Sequence, residues 1–246
     1  MWSNILLLFA LSSISGMLAI FIGDLLKVHH SKMLVFSGGY LFAVTVLHLL
    51  PDVFVSSADV TFLSISVVAG FFFQHILENF TQGIEHGHMH KISHAHDHTS
   101  HSVIGIMIAL SMHAFLEGGI LISPESPSDH GTKALFTGIV LHKIPATFAL
   151  ISVLLCYVKK RSIIYLSLIL FSLSTPLGIL TGNYFFIELN DGVHYFVAFV
   201  GGGFLHISTT IVFESNKNHL FNFKKLLWGI LGSLFALFLQ VFFFNH

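Results

Sequence analysis

The chain has 246 residues, of which 54% are hydrophobic and only 9% charged, and its formal net charge is −1 at pH 7. A water-soluble domain needs about a quarter of its residues charged to cover its surface, so this composition excludes one and points to a lipid-facing exterior. The near-zero charge leaves no case for nucleic-acid binding, and the single cysteine, Cys156, excludes a disulfide framework or a cysteine-based metal site.

Cys156 is expected as a buried helix residue without a special role. The unusual count is 18 histidines. Imidazole is a borderline ligand that suits Zn, Cu, Ni and Fe, and it is costly to leave unpaired inside a membrane.

Apolar runs long enough to cross the hydrocarbon, about 20 residues each, fall at 4–23, 34–50, 60–80, 102–122, 133–156, 162–182, 193–213 and 226–244. The fold class expected is therefore an all-α integral membrane protein of about eight transmembrane helices. Residues 1–246 are expected to form a single transporter-sized membrane domain. The first run follows no basic residue and shows no small-residue cleavage site, so it is expected to be a retained helix rather than a signal peptide.

The connecting segments alternate in charge. Nine of the 11 basic residues fall in one set: Lys27, Lys32, Lys91, Lys159, Lys160, Arg161, Lys217, Lys224 and Lys225. The opposite set, 51–59, 123–132 and 183–192, carries Asp52, Asp59, Glu125, Asp129, Glu188 and Asp191 and no Lys or Arg. The excess of basic residues marks the first set as cytoplasmic, which puts both termini outside, as an even number of spans requires. A short echo links Phe36-Ser-Gly-Gly-Tyr-Leu-Phe42 to Phe199-Val-Gly-Gly-Gly-Phe-Leu205. The two segments run in opposite directions, as in the inverted repeats of secondary transporters.

At a rise of about 1.5 Å per residue, His113 in the fourth run and His142 in the fifth both come near the midplane. Glu117 lies four residues after His113, on the same helix face. Two imidazoles and a carboxylate at that depth are a plausible ligand set for a transition metal. His48 and Asp52 lie toward the outer end of the second run. His75 and Glu78 in the third, with His206 in the seventh, lie toward the cytoplasm. Together they form a ladder on which a metal ion exchanges its water for protein ligands stepwise.

The segment 81–101 holds His86, His88, His90, His94, His96, His98 and His101, with Glu85 and Asp97. So many histidines do not pack a core, so the segment reads as a metal-collecting or metal-sensing cytoplasmic loop. Pro145, three residues after His142, and Pro176 are expected to break the fifth and sixth helices. Such breaks are tolerated where backbone lines a cavity or is covered by protein.

At His113-Ala-Phe-Leu-Glu117-Gly118 and His142-Lys143-Ile-Pro145 the sequence resembles the ZIP family of metal-ion transporters, and Leu47-His48-Leu-Leu-Pro51-Asp52 resembles that family's outer entrance motif. The resemblance covers the whole chain in layout and rests on these three short motifs. It implies eight helices in a 3+2+3 bundle with an inverted repeat, and uptake of Zn2+, and often Fe2+, Mn2+ or Cd2+, into the cytosol without ATP hydrolysis. The ion is then a substrate, the protein is not an enzyme, and its expected location is the plasma membrane. Besides the metal ion and the bilayer, a homodimer is the partner to consider.

The sequence departs from the family pattern at four places. Ala114 replaces an Asn, Lys143 replaces the acidic residue after the fifth-helix His, Ala146 replaces a later His or Glu, and Thr175 stands where an acidic residue often precedes the sixth-helix Pro. In members with a binuclear centre these positions build the second metal site, so one metal is expected here. Two other classes compete. A metal efflux carrier also has a His-rich loop, but its usual six helices, paired His/Asp-x-x-x-Asp motifs and soluble tail are not found. A haem-ligating membrane redox protein would use the paired histidines but leave Glu117 and the loop unexplained. The His-Glu-x-x-His of an intramembrane metalloprotease is absent.

Overall fold

The first two apolar runs are two helical spans that meet at a kink. In the computed structural model, which describes residues 2–56, 58–81, 99–122, 129–185, 192–213 and 223–244, α1 spans Trp2–Val44 and departs from helical geometry only at Ile22, with φ −132° and ψ 22°. Gly23 follows Ile22, and the chain turns there between the membrane spans Trp2–Gly23 and His30–Phe54: Ser15 and His30 reach the adjacent carbonyls of Ile144 and Pro145, whereas a straight helix would hold them about 22 Å apart. The second span runs past Pro51 because a π-helical turn, Thr45–Leu49, leads into a short α2, Leu50–Phe54. Pro51 falls in the first turn of α2, where a missing N–H costs nothing.

The remaining helices are α3 (Val60–Thr81), α4 (Thr99–Gly119, closed by a 3-10 turn at Ile120–Ile122), α5 (Asp129–Tyr157), α6 (Arg161–Phe185), α7 (Gly192–Phe213) and α8 (Phe223–Leu239, followed by a π turn at Gln240–Phe244). Among the described residues seven spans are long and apolar enough to cross a membrane, and α4 adds a shorter apolar stretch, Val103–Gly119. The fourth apolar run is thus also a helix, with a shorter apolar stretch than the others. Phe62, Phe72, Ile104, Leu166, Leu170 and Phe238 are exposed on the outer surface. Large apolar side chains on that surface, around helices whose backbone bonds are satisfied internally, are the arrangement a bilayer demands. The chain is an all-α integral membrane protein.

The glycine echo has a structural meaning. A Cβ on Gly39 would strike the carbonyl of Gly229, and one on Gly232 the carbonyl of Phe36, so the second span and α8 meet backbone to backbone. Ser233 Oγ, donating to Gly39 O at 2.8 Å, ties the same crossing. In the other half a Cβ on Gly70 would strike Phe199 O, and one on Gly202 would strike Val67 O, so α3 and α7 meet in the same way. The second span pairs with the last helix, and the second-last helix pairs with the third. This is the exchange that an inverted repeat produces, and small residues are what permit it.

Two large apolar clusters make up most of the core. One joins Tyr40, Leu41 and Val44 to Leu63, Ile139, Val197 and Phe204. The other joins Ala19 to Ile106, Leu110, Phe148, Leu154, Leu168 and Phe171.

Two local expectations are corrected. Neither Pro145 nor Pro176 breaks its helix; α5 and α6 run through them. Carbonyls beside Pro145 are held from the first helix, Ser15 Oγ donating to Ile144 O at 2.6 Å and His30 Nε2 donating to Pro145 O at 2.8 Å. Covering protein thus supports the proline turn. Cys156 is exposed rather than buried. It lies one residue from the end of α5, where burial inside the bundle has given way to the surface.

Candidate metal centre

His113 and Glu117 are one turn apart on α4, and the periodicity that puts them on one face also brings them into contact: His113 Nε2 lies 2.9 Å from Glu117 Oε1. α5 supplies the third member. His142 is buried, and its ring centroid is 6.1 Å from that of His113 with the planes at 80°. One ligand atom from each of His113, Glu117 and His142 lies within 4.8 Å of the others, and all three residues are buried. Ligands around a tetrahedral zinc at about 2.0–2.2 Å are about 3.5 Å apart. Side-chain shifts of about 1 Å would therefore close this set on one ion.

α5 adds a residue of the opposite kind. Lys143 Nζ lies 3.1 Å from Glu117 Oε2, with the two side chains 2% and 1% exposed. The same Nζ lies 4.7 Å from the centroid of the Phe171 ring on α6. An ammonium buried at this depth is tolerable only when its charge is matched, and here a carboxylate and a ring face share that task. The α4–α6 contact that brings Phe171 near depends on Gly118, where a Cβ would strike Thr175 O. Ala114, Ala146 and Thr175 are all buried. The two alanines carry no ligand atom, and Thr175 brings a hydroxyl in place of a carboxylate.

A second group forms between α3 and α7. His206 Nε2 meets Glu78 Oε2 at 2.5 Å, and His75 Nδ1 lies 3.7 Å from the same oxygen. The rings of His75 and His206 are 5.1 Å apart, and the three residues again bring their ligand atoms within 4.8 Å of one another. His75 is open, with 55% of its side chain exposed, whereas His206 is 5% exposed. Glu78 stands near the end of α3, on the side where the chain passes into the His-rich segment. Beside His113 lies a cavity of about 10 Å³, about the room one water molecule needs, whose lining includes Gln74, one turn before Glu78 on α3, and Gly203, one turn before His206 on α7.

The structure does not join every residue singled out in the sequence. His48 and Asp52 lie on the π turn and α2, at the opposite end of the second span from His30. They belong to neither three-residue group. His86, His88, His90, His94, His96 and His98 lie outside the described residues, as does the side chain of His101.

Sequence reasoning passed over three residues near the centre. Gln74 is 2% exposed and lines the small cavity; its place beside His75 in a run of apolar residues was the available signal. His30, buried and stacked on Phe148 at 5.2 Å, was hidden by lying at the polar end of a run. Phe171 is one of 27 phenylalanines, and nothing in the pattern distinguishes it.

Comparison with known proteins agrees with this architecture. The profile of the ZIP zinc transporter family matches residues 85–240, well over half of the chain. The chain belongs to the ZIP zinc transporter family. It is also 30% identical over 118 residues to zinc transporter ZIP9-B of Xenopus laevis, a match covering 47% of this chain and 38% of the frog protein. The chain thus aligns with well under half the length of that relative. The family match, residues 85–240, contains both arms of the His113–Glu117–His142 group and begins after α3. The efflux-carrier and haem-protein alternatives gain no support from either match.

Proposed function

We propose that this ZIP protein carries a divalent transition-metal ion, zinc first among them, through the membrane by way of His113, Glu117 and His142. The observation that carries the reading is the burial of two imidazoles and a carboxylate within bonding reach of one ion, on two neighbouring helices of a transporter family. Buried ionisable residues in a membrane domain are expensive and are kept for function. Neutral imidazole with one carboxylate suits zinc, while Fe2+, Mn2+ and Cd2+ are the other ions such donors accept.

The ion enters past His48 and Asp52, pauses at the central group, and leaves through His75, Glu78 and His206 to the cytosol. The small cavity beside His113 and Gln74 supports a step between the two groups. In this reading the termini are outside, the 81–101 loop is cytoplasmic and gathers or senses the delivered metal, and the plasma membrane is the site of uptake. All 246 residues act as one transport domain, alone or as a homodimer, and the work is transport rather than catalysis.

The test is zinc influx into proteoliposomes that hold the purified chain and a trapped zinc-sensitive dye. Influx above that of empty vesicles, competed by other divalent ions, is expected. A rate equal to that of empty vesicles with correctly inserted protein would reject the reading.

A further inference from the structure

Both carboxylate oxygens of Glu117 have a close neighbour, and Oε2 accepts a hydrogen bond from Lys143. Oε1 faces His113 at 2.9 Å, and Oε2 faces the Lys143 ammonium at 3.1 Å. A cation arriving here meets a carboxylate already matched by a cation that cannot leave, because it is covalently part of α5. With neutral imidazoles the empty centre carries zero net charge. Filled by a divalent ion it carries +2, against +1 had the lysine been uncharged. Both side chains are almost wholly buried, so the repulsion between ammonium and cargo is poorly screened. Phe171, whose ring lies 4.7 Å from Nζ, gives the ammonium a second favourable contact and a place to remain when the metal takes a share of Glu117.

Resting on the transport reading above, we propose that Lys143 is the resident counter-ion of the metal centre. It neutralises Glu117 while the site is empty and weakens the hold on the cargo when the site is filled, so that the ion is released. An unloaded centre then needs no second metal and no other exchangeable cation to sit in a low-dielectric environment. Lys143 is a positioning residue in this scheme, acting on the metal through Glu117 and through its own charge.

Lys143→Gln separates charge from geometry, because the amide still donates to Glu117 but carries no charge. Lys143→Arg keeps the charge. In zinc-uptake measurements on the full chain in proteoliposomes, Lys143→Gln is expected to lower KM about tenfold or more and to lower the maximal rate with it, as expected for a cargo held too tightly. Lys143→Arg is expected to keep both values within about threefold of the unsubstituted chain.

A binding measurement covers the case in which Lys143→Gln moves no ion. Zinc affinity of the purified variant is compared with that of the same variant also carrying His113→Ala and His142→Ala, and the difference isolates binding at the centre. Tighter binding than in the corresponding unsubstituted pair supports the proposal. Unchanged or weaker binding, or a Lys143→Gln variant whose KM and maximal rate stay within about twofold of normal, overturns it. Normal transport by His113→Ala with His142→Ala in the unsubstituted chain would be a different failure, that of the site assignment itself.

Discussion

Lys143 and Glu117, on consecutive helices, face each other across 3.1 Å with almost no solvent on either side. Each is a residue the bilayer would reject on its own, and each makes the other acceptable. Removing one partner of such a buried pair costs about 3–5 kcal/mol, because the remaining charge is stranded. Glu117→Ala is therefore expected to lower the thermal stability of the detergent-purified chain markedly. Adding Lys143→Met is expected to recover most of the loss, a strong non-additivity that a double-mutant cycle reads directly. Additive losses would mean that the pair is not energetically coupled.

The pair also bears on stoichiometry. The positions that the resemblance to the ZIP family would assign to a second metal site hold Ala114, Lys143, Ala146 and Thr175 here, and all are buried. One zinc ion is expected at the centre when the loop histidines have been replaced by serine. Replacing Lys143 with Glu and Ala146 with His supplies two ligands and removes a charge, so calorimetric titration should move toward two ions per chain. Two ions in the chain with its own Lys143 would show that the ammonium does not exclude a second metal.

Much of the architecture was legible in the sequence because a bilayer leaves few choices. Apolar runs of the required length became helices, and the triad was found because His113 and Glu117 are one turn apart and His142 sits at matching depth. What the sequence hid was decided by covering contacts. Pro145 reads as a helix break, yet Ser15 and His30 hold the carbonyls beside it. Phe171 reads as one more lipid-facing ring and instead lies beside the lysine, because Gly118 lets α6 approach α4.

The group between α3 and α7 provides an independent check on the route. If it receives the ion after the central group, His206→Ala is expected to slow zinc uptake several-fold while leaving zinc affinity at the central group unchanged. Loss of affinity at the central group would indicate one coupled site rather than two stations. His206 also contacts Phe71 at 4.8 Å between ring centroids, so a His206→Gln variant, which keeps more of the packing, should be measured beside it.

The histidines at 86, 88, 90, 94, 96, 98 and 101 are expected to be dispensable for movement of the ion itself. Serine at all seven should leave a transporting chain whose response to cytosolic metal is altered, since binding residues outside the spans can collect metal without lining the path. Complete loss of uptake in a correctly inserted variant would place the loop within the pathway.

The most direct measurement is zinc uptake by His113→Ala and His142→Ala, each made alone and verified for membrane insertion at normal levels. With two ligands and the lysine left in place, uptake should fall by about tenfold or more in each variant, in line with the loss of a metal ligand. Uptake near the normal rate in both variants would show that the ion crosses the membrane without using this centre.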